Sequence, residues 1–203
     1  MAIRALFWDV GGVLLTNAWD RVEREQAIAK FKLDPIDFQD RHEMLVSSFE
    51  RGKIGLDEYL NRTVFYRERP FPIDEFKQYM FSRSQAIPEA LAFARKLADS
   101  GRYLMSTINN ESTDLNAYRI ETFGLREIFD VFISSCFVGL RKPEEGIYSL
   151  SLDITQCDPS ECCFIDDRPL NLDAAKAVGM HTIRMIDADQ LQRDLQSLGV
   201  VAG

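Results

Sequence analysis

Histidine is scarce in this chain of 203 residues: His42 and His181 are the only two. Neither accompanies a nucleophile motif, so a Ser-His or Cys-His hydrolytic arrangement has little to build on. Both are expected to be structural. Cysteine is limited to Cys136, Cys157, Cys162 and Cys163. Their C-x4-C-C spacing lacks the C-x-x-C of zinc ribbons and redox motifs. Cys162 and Cys163 precede Phe164-Ile165 and are expected in a strand as small hydrophobes, and free thiols fit a reducing compartment. No apolar run approaches the roughly 20 residues that span a bilayer. The apolar start, Met1 to Trp8, is too short for a secretory leader and has no small-residue cleavage site. The expectation is a cytoplasmic protein with no membrane partner. Basic residues are outnumbered, 24 Lys and Arg against 32 Asp and Glu, for a net charge of −8. That argues against nucleic acid as partner and leaves room for a locally positive site that takes a small anion. Repeats and low-complexity segments are absent.

What is present is a globular composition, 46% hydrophobic and 28% charged. The length allows one large domain, or a core with a smaller appendage. Ala5 to Trp8 is a short, nearly continuous apolar run that meets Asp9 and then Val10-Gly11-Gly12-Val13-Leu14, which reads as a buried parallel strand ending in a sharp turn. Helical patterns then dominate: 20–33 with Val22, Ala27, Ile28 and Phe31, then a helix from Pro35 with Phe38, Leu45, Val46 and Phe49, then 56–66 and 74–82. A fifth helix, 88–100, is expected to pack on a sheet through Leu91, Ala94, Arg95 and Ala98. From there strands at 103–108, 131–134, 162–165 and 181–185 alternate with helices, the signature of βαβ units. The expected fold class is therefore α/β, a Rossmann-like parallel sheet core of residues 1–15 and 87–203. Residues 16–86 are expected to be a helical cap inserted after strand one.

Ligands bind beyond the carboxyl ends of strands in open parallel sheets. Polar residues gather at those ends: Asp9; Ser106-Thr107-Ile108-Asn109-Asn110; Arg141-Lys142-Pro143; and Asp166-Asp167-Arg168. Each alone has an ordinary structural alternative, such as an Asp that caps the next helix or a Lys on an exposed loop.

Together and in this order the motifs resemble the haloacid dehalogenase-like hydrolase superfamily. The matches are Asp9 with Gly-Gly-Val-Leu, the Thr/Asn-bearing second strand, Arg-Lys-Pro-x-x-x-Ile-Tyr at 141–148, and Phe-Ile-Asp-Asp-x-x-x-Asn at 164–171. They cover nearly the whole chain. The resemblance implies that Asp9 is the nucleophile and that Lys142 holds the phosphoryl group beside it. It implies Mg²⁺ on Asp9, the Gly11 carbonyl, Asp167 and Asp166, with Asp166 as second ligand or as orienter of a bound water. Thr107, Asn109 and the turn amides at Gly12 would bind phosphate, with Ser106 and Asn110 as the alternative pair. Asn171 would fix the fourth loop. The partner is a small phosphorylated metabolite, and nothing in the sequence sets the oligomeric state. Asn17 and Trp19 serve either substrate contact or cap packing.

One departure stands out. Phosphatases of this superfamily mostly carry a second Asp two residues after the nucleophile, as leaving-group acid. Here that position is Gly11, which keeps the backbone carbonyl and loses the acid. Such an acid contributes about 10²–10⁴-fold, least where the leaving group is already good. The Asp-x-Gly form is similar to a branch that includes bacterial α-glucose-1-phosphate phosphatases. The expectation is a Mg²⁺-dependent phosphatase acting on sugar 1-phosphates or similarly activated monoesters. A 2-haloacid dehalogenase and a non-catalytic binder of phosphorylated ligands are the alternatives.

Overall fold

The computed structural model describes residues 2–202. Its centre is a five-stranded, all-parallel sheet in the order β3-β2-β1-β4-β5. The strands are β1 (Ala5–Trp8), β2 (Leu104–Asn109), β3 (Val131–Ser134), β4 (Cys162–Asp166) and β5 (His181–Arg184). Alternation along the strands divides the core into two layers. Leu6, Trp8, Met105, Cys163, Ile165 and Ile183 face one side, and Ala5, Phe7, Ile108, Ile133, Cys162 and Phe164 the other. Cys162 and Cys163 are free, buried strand residues on opposite faces.

Four helices follow β1 before the chain returns to the sheet: α1 (Arg21–Phe31), α2 (Pro35–Glu50), α3 (Leu56–Thr63) and α4 (Ile73–Ser82). Asp34 starts α2 by accepting from the amides of Ile36 and Asp37, with Pro35 in the first turn. These helices build their own apolar cluster from Phe31, Phe38, Phe49, Tyr59, Phe76 and their neighbours, joined by Leu115. Where the sequence suggested helix to Tyr66, α3 stops at Thr63: the Val64 and Phe65 amides both turn back to the Leu60 carbonyl, and the Tyr66 hydroxyl is drawn to Asp37.

The remaining helices are α5 (Pro88–Asp99), α6 (Thr113–Thr122), a short α7 (Ser135–Val138), α8 (Glu145–Thr155), α9 (Pro169–Ala177) and α10 (Ala188–Ser197). α5 and α10 cover the Leu6–Trp8 side, while α8 and α9 cover the other. Of the expected inner face of α5, Ala94 is buried and Leu91 and Ala98 pack partly buried against the same layer. Ala90, Ala94 and Leu97 are buried, at a 4-then-3 spacing that makes one helical stripe, and Arg95 instead pairs with Glu127. No helix among the described residues is long and apolar enough to cross a membrane.

Candidate active site

β1 ends at the middle of the sheet, so Asp9 emerges between the ends of β2 and β4. The Asp9 amide donates to the Ile165 carbonyl at 2.8 Å, and its Oδ1 accepts from the Val10 amide at 2.8 Å. Gly12 has φ +73, and a Cβ there would collide with the Asp167 carboxylate. The turn after β1 thus brings bare backbone against the end of β4.

Lys142 Nζ bridges the two strands, 2.9 Å from Asp9 Oδ1 and 2.6 Å from Asp166 Oδ2. It is 3% exposed. The Asn110 side chain fixes its backbone, accepting from the Lys142 amide at 2.8 Å and donating to the Lys142 carbonyl at 2.9 Å. Burial alone pulls the Lys142 pKa down, but Asp9 and Asp166 together outweigh it and hold the ammonium above its ordinary value. Asp9 is pushed up to about 7, first by burial; Lys142 opposes this, while Asp166 and Asp167 add to it.

The two acidic residues of β4 differ. Asp166 is saturated: besides Lys142 it accepts from the Arg168 amide at 2.8 Å and from Asn171 Nδ2 at 3.0 Å on each oxygen. Asp167 has only Asn17 Nδ2 at 3.4 Å from Oδ2, and its buried Oδ1 has no partner. Ligand oxygens of Asp9, Asp166 and Asp167 lie within 4.8 Å of one another. Three carboxyl groups around one ammonium leave negative charge in excess, and one of them, Asp167, has a buried oxygen without a partner. This donor set fits a hard divalent cation such as Mg²⁺.

Above the cluster lies a cavity of 560 Å³. Asp9, Gly11, Lys142 and Asp167 form its floor, Asn110, Glu111 and Arg119 a wall, and Trp19, Arg24, His42, Phe49 and Glu50 its roof. Trp19 lines the cavity, and its indole donates to the Tyr59 hydroxyl at 3.0 Å. His42 also lines the cavity, with Nδ1 2.8 Å from the same hydroxyl. Burial first, then Arg24, depress its pKa to about 3, so the imidazole is neutral.

The second strand departs from expectation. Asn109 was favoured over Asn110 as phosphate ligand, but its amide is spent inside the protein. Oδ1 accepts from Ser134 Oγ at 2.8 Å and Nδ2 donates to Asn116 Oδ1 at 3.1 Å. Asn110 lines the cavity instead. Thr107 is fully buried beside Trp8, with its hydroxyl unpartnered and outside the cavity lining; Ser106 is buried too. At the position of the absent acid, a Cβ on Gly11 would lie 3.0 Å from Asn17 Oδ1 and 3.5 Å from Arg119 Nη1. Arg119 is held by Glu111 Oε2 at 3.1 Å, Ser84 Oγ at 3.1 Å and the Thr16 carbonyl at 2.9 Å. An amide and a guanidinium occupy the space beside Gly11. Glu111, Arg119, Arg24 and Glu50 escaped the sequence reading. For Arg24 and Arg119 the one signal was a charge on an otherwise apolar helical stripe, as in Arg24-Ala27-Phe31; Glu111, in the loop before α6, gave none.

Residues 3–179 match the model of the haloacid dehalogenase-like hydrolases. The chain belongs to that family. Among its relatives, Flavin mononucleotide hydrolase 1 of Arabidopsis thaliana is 29% identical over 168 residues, 79% of this chain and 64% of that protein. Sesquiterpene phosphatase astK of Aspergillus oryzae is 27% identical over 198 residues, 96% of each chain. Bifunctional epoxide hydrolase 2 of Sus scrofa is 26% identical over 98% of this chain, which spans only 39% of that longer protein. Among solved structures, the HAD family enzyme bt-2542 of Bacteroides thetaiotaomicron, in complex with magnesium and inorganic phosphate, shares the fold at TM-score 0.73 and 24% identity, over 91% of this chain and 95% of that one. A predicted HAD-like family hydrolase from Porphyromonas gingivalis does so at TM-score 0.78 and 20% identity, over 98% of each.

Proposed function

We propose that this hydrolase is a Mg²⁺-dependent phosphatase of small phosphate monoesters that works through an aspartyl-phosphate on Asp9. The observation that carries the reading is the Asp9–Lys142–Asp166–Asp167 cluster at the base of the cavity. The phosphatase relatives and the magnesium–phosphate complex of a fold neighbour support it.

Both recorded Asp9 contacts fall on Oδ1, which leaves Oδ2 to attack phosphorus. The P–O bond to the leaving group breaks and its electron pair stays on the leaving oxygen. Water then attacks phosphorus, the acyl-phosphate P–O bond breaks, and phosphate departs with the Asp9 carboxylate restored. Lys142 holds Asp9 in place and neutralises the transferred group. Asp166 and Asn171 keep Lys142 aimed. Asp9, Asp167 and the Gly11 carbonyl would hold Mg²⁺, with Asp166 as a further ligand or as orienter of a bound water, and the ion would neutralise the dianionic ester and favour the ionised form of Asp9. Residues 16–86 act as the cap and carry specificity. Because Gly11 offers no proton, the reading favours weakly basic leaving oxygens, as in sugar 1-phosphates and aryl phosphates.

The test is a screen of sugar phosphates, nucleotides including FMN, aryl phosphates and 2-haloacids with Mg²⁺, run beside Asp9→Asn and beside EDTA. Phosphate release is expected to fall by about 10³-fold or more in Asp9→Asn. EDTA should abolish it and added Mg²⁺ restore it. Undiminished release by Asp9→Asn overturns the covalent mechanism. Haloacid turnover that survives EDTA replaces the phosphatase with a dehalogenase.

A further inference from the structure

The cavity roof holds a buried cation that no carboxylate matches. Arg24 is 8% exposed and lines the cavity beside Trp19 and His42. Its one recorded side-chain bond runs from Nη1 to the Trp19 carbonyl at 2.8 Å. Its Nε is buried without a partner. Among the described residues no carboxylate oxygen lies within 4.0 Å of its guanidinium. The other cavity arginines are each matched: Arg119 by Glu111, Arg141 by Glu50, Arg168 by Asp20.

A guanidinium does not lose its proton in proteins, and burying an unpaired charge is costly. Neighbours do not relieve it. Glu50 and Asp20 are engaged by their own arginines, and His42 is neutral and lends no negative charge. Neither Nε nor Nη2 makes a hydrogen bond, and theirs is the edge that grips carboxylates and phosphates side-on. The cavity volume of 560 Å³ lies in the range that holds a ligand with two separated polar groups.

We propose that Arg24 forms a second anion subsite, which binds an oxyanion carried on the leaving-group part of the substrate while the floor takes the phosphoryl group being transferred. The inference rests on the phosphatase reading for its second half. It narrows the substrate class to phosphate monoesters whose leaving group bears a carboxylate or a further phosphate.

Two matched pairs of probes test it. Turnover is compared for 4-(carboxymethyl)phenyl phosphate and its carboxamide, whose phenols have similar acidity. Binding is compared by calorimetry for the non-hydrolysable 4-carboxybenzylphosphonate and its carboxamide. Wild type should favour the carboxylate member of each pair by about tenfold or more, since a hydrogen-bonded buried charge pair is at stake. In Arg24→Gln the ratio should fall to about one, and in Arg24→Lys to an intermediate value. A ratio near one in wild type, or a ratio that Arg24→Gln leaves unchanged, overturns the subsite; equal loss on both members is such an unchanged ratio and marks a role limited to bracing the Trp19 carbonyl. If neither aryl phosphate is turned over but the phosphonates show the Arg24-dependent ratio, the phosphatase reading fails and the anion subsite stands.

Discussion

The floor and the roof of the cavity both bury polar side chains, and they do so in opposite ways. At the floor, Asp9 and Asp166 both contact the Lys142 ammonium, and the cluster holds more carboxyl groups than cations. In the roof, the polar groups are kept neutral or matched one to one. His42 sits near pKa 3, burial pushes the Tyr59 hydroxyl above its ordinary value despite its bond to Trp19, and Glu50 answers Arg141. Arg24 is the exception. Grouping three carboxyl groups about one buried ammonium carries a standing cost in stability. The roof is organised by aromatic packing, with Phe49 stacked on Tyr59 at 4.1 Å and Trp19 edge-on to Phe76 at 5.8 Å.

The sharpest way to break this comparison is to remove the one cation of the floor. In Lys142→Met, three carboxylates face one another with nothing between them. Turnover should fall by about 10³-fold or more, as for other groups that hold transition-state charge. Breaking a buried ion pair from one side costs about 3–5 kcal/mol, and that loss should appear in urea unfolding at pH 8 in EDTA. Mg²⁺ should return part of it, because a bound cation supplies the missing positive charge. If Lys142→Met unfolds at the same urea concentration as wild type, the floor is not the strained element described here.

The next prediction sharpens the contrast from the roof. His42 has a folded pKa of about 3, against an ordinary 6.5 when unfolded. Between those values the unfolded chain binds more protons than the folded one. The stability from His42 is therefore complete above pH 6.5 and is lost as the pH falls toward 3. From pH 7 to pH 5 the loss amounts to about 2 kcal/mol, which His42→Gln should remove from the pH dependence of unfolding. Glu50 and Glu111, both raised chiefly by burial, titrate in the opposite sense in both proteins and cancel in the difference. Identical pH dependence in wild type and His42→Gln means that the imidazole is not held neutral by the fold.

The same division explains what could be read from sequence. The acidic floor residues were legible because they follow short apolar strands: Asp9 after Ala5–Trp8, and Asp166-Asp167 after Cys162–Ile165. A parallel sheet sends such residues to a common edge whatever else the fold does. Asn109 and Asn110 were not separable in this way. Which of them turns inward depends on Ser134 from β3 and Asn116 from α6, partners brought in by tertiary structure. The roof was harder still. Arg24 and His42 lie on stripes with Ala27 and Phe31, and with Phe38 and Phe49, that read as ordinary buried helix faces. Periodicity reveals that a face is buried, not that a cavity opens beneath it. On α5 the expected face held for Ala94, Leu91 and Ala98, which pack on the sheet, while Arg95 turns out to Glu127 and Ala90 and Leu97 complete the buried stripe.

The smallest expected effect comes from the ion pairs that join roof to floor. Arg168 Nη2 lies 2.6 Å from Asp20 Oδ2, just beyond the first residues of the β4 loop, and the two side chains are 52% and 41% exposed. The pair spans the cavity mouth, so it has the position of a latch. Its surroundings argue against that strength. Water and salt screen exposed pairs, which contribute about 0–1 kcal/mol, and two long side chains must be ordered to form the contact. Asp20→Asn should therefore shift unfolding by less than about 0.5 kcal/mol and kcat/KM by less than about threefold, with the difference vanishing in 0.5 M NaCl. The roof is tied down by other contacts that solvent does not weaken in the same way: Arg119 grips both the Thr16 carbonyl and Ser84, and Ser135 Oγ donates to the Glu50 carbonyl at 2.6 Å. A loss well above threefold in Asp20→Asn that persists in high salt would give the exposed pair a share in positioning the roof, and would move the boundary between the two regions outward to the cavity mouth.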